Sequence, residues 1–331
     1  LTQGCATARL PKMKALRLDV PAILAICCLA SCGAAERQSA RTGPATEAVP
    51  QPVKEVIVRR PAVAGAFYPG RPEELQQAVL DLLEASPAIA PDVEVVAALA
   101  PHAGYVFSGR VAALTHKAMQ NTEFDTIVII GHDAYRGAVA YVCTGDAYDT
   151  PLGRVEVDRE MVDRLLAHHP GIKGETAMHA REHTVEVQLP FLQARKRDCK
   201  IVPILFGDPV AENCRILADA IVAAAGDKKV FVLASTDLSH YPSYDDASNV
   251  DRATLKALAP LDIETLFAQL KKSEHRAPDG LQTAMCARGG VGTAILFARA
   301  RGADRAQILT YANSGDVPAG GKDRVVGYGA A

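Results

Sequence analysis

Short apolar runs alternate along this chain with longer stretches whose apolar positions recur every three to four residues. The runs at residues 93–100, 126–130, 138–143, 201–206, 230–234 and 308–311 are rich in aliphatic and β-branched residues and bounded by turn formers. A short, continuous apolar run of this kind describes a strand covered on both faces. Residues 72–84 open with a proline and two acids and then repeat leucine at helical spacing, which is the order a helix N-terminus favours. Helical patterns follow at 111–119, 159–168, 212–225, 263–271 and 283–301, and at 184–194, where Pro190 predicts a kink. Residues 324–328 read as a last edge strand. Strand and helix in alternation predict a single α/β domain, its largely parallel central sheet flanked by helices and joined by right-handed crossovers.

The start of the chain departs from this pattern. Met13 begins a short basic stretch, followed by an apolar run at 20–29. That run is about half the roughly 20 residues a membrane-spanning helix needs. A charged start, a short apolar centre and small residues behind it are the order of a secretory signal. Leu29-Ala30-Ser31-Cys32 resembles a bacterial lipobox, in which the cut precedes the cysteine and its thiol accepts the lipid. Residues 1–31 are therefore expected to be upstream residues and a lipoprotein signal peptide, and Cys32 a lipidation site. Residues 32–57, rich in Ala, Pro, Thr, Gln and charge, are expected to form a disordered tether, and 58–331 the folded domain. Gly33 after the cysteine implies, by the same resemblance, an outer-membrane lipoprotein of the bacterial cell envelope facing the periplasm. Membrane contact is expected through the lipid anchor alone.

Composition narrows the function more than the fold. Apolar content of 49% and charged content of 22% are ordinary for a globular protein. The formal charge of −2, with one short basic run at Arg195-Lys196-Arg197, argues against nucleic acid as a partner. The absence of tryptophan and an aromatic content of 5% argue against a carbohydrate-stacking groove. The expected folded part holds Cys143, Cys199, Cys214 and Cys286, none in a C-x-x-C pair, which excludes a zinc ribbon. Cys199 with Cys214 is the pairing the spacing favours were a disulfide to form.

The chemistry concentrates in histidines. His102 follows the run at 93–100 in Ala100-Pro101-His102-Ala103-Gly104-Tyr105; His132 follows 126–130 in Gly131-His132-Asp133. His240 follows 230–234 in Ser235-Thr236-Asp237-Leu238-Ser239-His240-Tyr241. Open α/β sheets gather their ligands at the carboxyl ends of strands. One histidine in such a place reads as structural; three together point to a site. Cys286 stands at the start of the last apolar helical pattern, where a metal ligand and an inert buried thiol are competing readings. Glu182 and Glu186 flank His183 at helical spacing, and alone they read as a solvated helix start.

Four segments in succession resemble blocks of the Memo family, whose bacterial members are called AmmeMemoRadiSam system protein B. They are Arg60-Pro61-Ala62-Val63-Ala64-Gly65-Ala66-Phe67-Tyr68-Pro69, Ala100-Pro101-His102-Ala103-Gly104-Tyr105-Val106-Phe107-Ser108-Gly109, Glu182-His183-Thr184-Val185-Glu186-Val187-Gln188-Leu189-Pro190-Phe191 and Ser235-Thr236-Asp237-Leu238-Ser239-His240-Tyr241. The resemblance implies a fold similar to the catalytic subunits of class III extradiol ring-cleaving dioxygenases, with one mononuclear metal site at the strand ends. It implies His102, His132 and Cys286 as metal ligands. Ala287 follows Cys286 where the family's block usually has glycine, and the loop to His132 is about two residues shorter than the family's pattern. It also implies His240 as a general acid–base and His183 and Glu182 as pocket residues. Beside the resemblance, Asp237 is expected to orient His240, as carboxylates do for histidines around a metal, and Tyr68 and Tyr105 read either as pocket lining or as packing.

Two imidazoles and one anionic ligand on one side of a metal leave positions open for substrate and O₂. A thiolate in place of a carboxylate softens the site and moves its preference toward Fe(II), Cu(I) or Zn. Fe(II) is the expected cofactor, with Cu or Zn as alternatives. The expected function is a metal-dependent redox enzyme acting on a small-molecule substrate that the sequence does not name. The alternatives are a metal-buffering lipoprotein without turnover, a module holding a protein or peptide partner in a vestigial cleft, and a metal hydrolase.

Overall fold

The computed structural model describes residues 55–87, 94–134, 137–195 and 199–331. The expected signal peptide, Cys32 and most of the expected tether lie outside the described residues. In chain order the elements are β1 (Val58–Arg59), α1 (Pro72–Ala85), β2 (Ala97–Ala100), α2 (Tyr105–Ala118), β3 (Thr126–Asp133), β4 (Ala140–Val142), β5 (Ala147–Thr150), β6 (Gly153–Glu156), α3 (Arg159–His168), β7 (Ile172–Gly174) and α4 (Thr176–His179). A 3₁₀ turn (Glu186–Gln188) leads into α5 (Leu189–Ala194), followed by β8 (Lys200–Phe206), α6 (Ala211–Ala225), β9 (Val230–Ser235), α7 (Tyr244–Leu258), α8 (Ile263–His275) and α9 (Arg288–Ala300). The chain closes with β10 (Thr310–Asn313), a 3₁₀ turn (Ser314–Asp316) and β11 (Gly327–Ala330).

Six strands form the central sheet in the order β2-β9-β3-β8-β4-β7. The block β2-β9-β3-β8 is parallel throughout; β4 runs antiparallel to β8, and β7 is parallel to β4. The unbroken apolar runs at 126–130, 201–206 and 230–234 occupy the middle of this sheet, where Ile127, Val128, Ile129 and Ile130 are fully buried, as strands covered on both faces must be. Helix α9 packs on β2, β3, β8 and β9 and against α6, while α2 packs on β2, α1 and the β10–β11 hairpin. The α/β architecture with a flanked, largely parallel sheet is the one expected. Among the described residues no helix is long and apolar enough to cross a membrane.

Several local expectations change. The run at 308–311 lies outside the central sheet: β10 pairs antiparallel with β11, and the expected edge strand at 324–328 is displaced to Gly327–Ala330. Helix α7 was not expected, because its buried face is built from Ala247, Asp251 and Thr254 as much as from Leu255 and Leu258. Pro190 does not kink a helix; it sits in the first turn of α5, where its missing N–H costs nothing. Cys199 and Cys214 are not joined by a disulfide, so the expected pairing does not form.

The last helix also begins later than its apolar pattern. The backbone at Thr283 accepts from His240 N at 3.0 Å, and Cys286 N donates to the Asp237 carbonyl at 3.3 Å. These bonds hold the segment extended against the loop after β9, and α9 starts only at Arg288. Cys286 is therefore a turn residue preceding a helix and not the first residue inside one. Gly289 lets this helix start settle on the sheet, since an added Cβ would lie 2.1 Å from the Phe206 ring.

Candidate metal centre

Four segments converge at the carboxyl ends of the parallel strands, each fixed by its own backbone. His102 follows β2 and Pro101; its amide donates to Asp237 Oδ1 at 2.8 Å, and its Nδ1 lies 3.3 Å from Ser235 Oγ. His132 lies at the end of β3, where the pairing with β8 shifts register between Gly131 and Asp133. Such an irregularity re-aims a side chain at a sheet's rim, and the His132 amide is held by Thr184 Oγ1 at 3.3 Å. His183 stands in the turn after α4. There the Glu182 carboxylate accepts from the amides of Thr184 and Val185, capping the turn that follows.

The three rings face one another, with centroids 4.9 Å apart for His102 and His132, 5.3 Å for His132 and His183, and 5.5 Å for His102 and His183. One ligand nitrogen from each lies within 4.8 Å of the other two. Cys286 arrives from the turn before α9, its Sγ 3.3 Å from His102 Nε2 and 3.3 Å from the Asp237 amide. Phe67 covers the group from the N-terminal segment, with its ring 4.9 Å from that of His183.

Burial sets the charge of this cluster. It holds the His102 pKa well below the usual imidazole value, and the neighbouring rings of His132, His183 and His240 push the same way. Burial lowers His132 and His183 as well, with Glu182 pulling in the opposite direction. His240 is brought down to about 4 by burial and by His132. The rings are therefore neutral near pH 7, and a neutral imidazole is the form that ligates metal. Burial, then the Asp237 carboxylate, raises the Cys286 pKa, so that without a metal the sulfur keeps its proton.

This donor set fits a transition metal. Metal–nitrogen bonds of about 2.0–2.1 Å place tetrahedral donors roughly 3.4 Å apart, so the three nitrogens need draw in by only about 1 Å. The Cys286–His102 spacing already suits two ligands of one ion. His102, His132 and either His183 or Cys286 could hold the metal.

The other expected site residues divide. His240 belongs to the rim: its backbone bridges Thr283 and Val326, and its buried Nε2 has no hydrogen-bond partner among the described residues. Asp237 does not orient His240. Its carboxylate braces the turn at His102 and Ala103, and burial raises its pKa to about 7. Tyr105 stands behind the site, its hydroxyl donating to the Val187 carbonyl at 2.7 Å and its ring against Tyr68 and Phe191. His183, expected only to line a pocket, is a member of the cluster itself. Phe67, Thr184, Gln188 and Ser235 were not singled out, although all four lie inside the distinctive segments. An apolar cavity of about 450 Å³ between β2 and α9 contains none of the histidines.

Residues 59–331 match the family model described as Memo-like protein. The chain belongs to the Memo family. Among curated Memo relatives, a MEMO1 family protein of Archaeoglobus fulgidus is 36% identical over 277 residues, covering 82% of this chain and 97% of its own. One from Methanosarcina mazei is 36% identical over 280 residues, with 82% and 98% covered. A third, from Pyrobaculum aerophilum, is 37% identical over 281 residues, with 82% and 97% covered. These relatives are archaeal, whereas the lipobox-like segment of this chain led to a bacterial expectation. The α/β architecture is consistent with the Memo and extradiol dioxygenase-like fold, and the histidine cluster lies within the matched residues.

Proposed function

We propose that this Memo protein holds one transition-metal ion between His102, His132 and a third donor, and uses it as a redox enzyme acting on a small molecule. The reading is carried by the convergence of three neutral imidazoles within 4.8 Å, beside a thiol in contact with one of them. Nitrogen donors suit Fe, Cu and Zn alike, and recruitment of Cys286 as thiolate favours Fe(II), Cu(I) or Zn; Fe(II) is the assignment tested first. When bound, the metal supplies a Lewis acid and, if redox-active, a place for electrons exchanged with substrate or O₂.

The protein's own residues supply the rest. Asp237 and Thr184 hold the His102 and His132 backbones through their amides. Phe67 shields the cluster from water. His240, neutral and with an unpartnered Nε2 at the rim, accepts a proton from an acidic group on the substrate and returns it. The expected lipidation of Cys32 adds the proposal that the site works at the cell envelope.

Elemental analysis of protein purified under reducing conditions, compared between the parent and the His102→Ala, Cys286→Ala double variant, tests metal binding. About one ion per chain in the parent and little in the variant is expected; equal content in both would defeat the reading. Protons released on cobalt uptake separate the third donors: one for Cys286, none for His183. O₂ uptake with catecholic and other phenolic substrates tests turnover. Tight binding without turnover would leave a metal-buffering protein.

A further inference from the structure

We infer that Gln188 and Ser235 are positioning residues that fix His102 as its Nδ1–H tautomer and so aim the Nε2 lone pair at the metal position. The inference rests on the metal-site reading and adds to it how the protein selects one nitrogen of one ring.

The argument is a count of protons starting from groups that can only accept. Gln188 Nε2 donates to the Pro101 carbonyl at 2.9 Å, which fixes the orientation of the amide. The same nitrogen donates its second proton to Ser235 Oγ at 2.9 Å. The Ser235 hydroxyl has one proton, and it goes to the Thr184 carbonyl at 2.7 Å. Ser235 Oγ can then only accept from His102 Nδ1, 3.3 Å away, so that nitrogen carries the ring proton.

Nε2 of His102 is left as a lone pair. The Asp237 carboxylate comes no nearer to it than 3.9 Å, through Oδ2, beyond hydrogen-bond reach, so it does not claim a proton there. Cys286 Sγ, 3.3 Å away, has an S–H to donate. It cannot receive one from Thr236, whose hydroxyl donates to the Asp237 carbonyl at 2.9 Å. The Asp237 amide supplies a donor to the sulfur at 3.3 Å, so the S–H is free to point at Nε2. At the far end, His116 Nε2 lies 3.0 Å from Gln188 Oε1, the accepting end of the amide, and so donates to it. All of Gln188, Ser235, His102 and His116 are buried, and no water need be invoked to complete the chain. Metal-ligating histidines characteristically have the second ring nitrogen held in this way, which fixes the tautomer and raises ligand basicity.

The test is ¹⁵N NMR of histidine-labelled, chelator-treated full-length protein, with His102 assigned by loss of its signals in His102→Gln. The expected pattern is a neutral ring protonated at Nδ1 and bare at Nε2. A ring protonated at Nε2 overturns the inference, and that readout needs no Ser235 variant to fold. Ser235→Ala should shift the tautomer population toward Nε2–H and weaken cobalt or zinc affinity about tenfold to a hundredfold; Ser235→Thr, which keeps the hydroxyl, should retain the parent tautomer. Unchanged tautomer and affinity in Ser235→Ala would refute the positioning role. An Nδ1–H ring in protein that binds no metal would instead defeat the metal reading and leave the tautomer assignment standing.

Discussion

Gly131 has no room for a side chain, because an added Cβ would lie 1.8 Å from Thr184 Oγ1. That oxygen is the acceptor for the His132 amide, so the smallest substitution should act on the proposed metal site through its brace. Gly131→Ala is expected to cost about 1–3 kcal/mol, as overpacking in a tight core does, and to weaken metal uptake further than its loss of stability explains. Thermal melts and cobalt titration of the same samples measure both; parent-like affinity would mean that the Thr184 contact does not hold the ligand. The sequence exposed His102, His132 and His240 at this scale because each follows an apolar strand. It concealed the role of His183, whose place is decided by a turn between elements. Ser235 and Gln188 look like ordinary polar residues until the carbonyls around them are known.

At the scale of elements, the site segment is tied to the start of the domain by one buried carboxylate. Glu186 pairs with Arg59 of β1 and accepts from the Tyr68 hydroxyl and from the amides of Ala62 and Val63, the last two at 2.7 and 3.1 Å. Arg59 also donates to the carbonyls of His179 and Glu182, the end of α4 and the residue just before His183. Both side chains are buried, and breaking a buried pair leaves the other charge uncompensated. Arg59→Met should therefore cost about 3–5 kcal/mol, read from denaturant midpoints, and should loosen the His183 turn first. Amide exchange at Thr184 and Val185 tests that order; uniform loss of protection would show that the pair supports the whole domain equally.

Glu182 and Glu186 had the appearance of a solvated helix start, and only the packing of β1 against the turn reveals a buried hub. Helix α7 was hidden for a related reason, since a buried face containing Asp251 and Thr254 breaks the apolar period that marks a helix. The central strands were legible because fully buried strands must be continuously apolar. The pairing of β10 with β11 was not, because a short apolar run does not state which sheet it joins.

Across the whole molecule, stability should depend on pH through buried groups that pull in opposite directions. Asp251 joins three parts of the fold, accepting from Ser239 N and Ser239 Oγ, both at 2.9 Å, and from the Tyr311 hydroxyl at 3.0 Å. Burial nevertheless raises its pKa to about 7. The folded protein thus binds this proton more tightly than the unfolded chain, so the contribution is fully present below about pH 4 and is lost as the pH rises through about 7. His179 behaves in reverse. Burial lowers its pKa to about 4, with Nδ1 against the Tyr148 hydroxyl at 2.9 Å and Nε2 against the Tyr141 carbonyl at 3.1 Å. Its contribution is full above about pH 6.5 and is lost as the pH falls toward 4. Urea unfolding of the metal-free parent, Asp251→Asn and His179→Gln from about pH 4 to about pH 8 separates the two. Each variant carries a constant offset for its altered hydrogen bonds, and the slope is what decides. Relative to the parent, Asp251→Asn should gain on the order of 3 kcal/mol as the pH rises across that interval, and His179→Gln a similar amount as the pH falls from about 6.5 to 4. Difference curves that run flat, or that share one sign, would show that these groups ionise in the fold much as they do in the open chain.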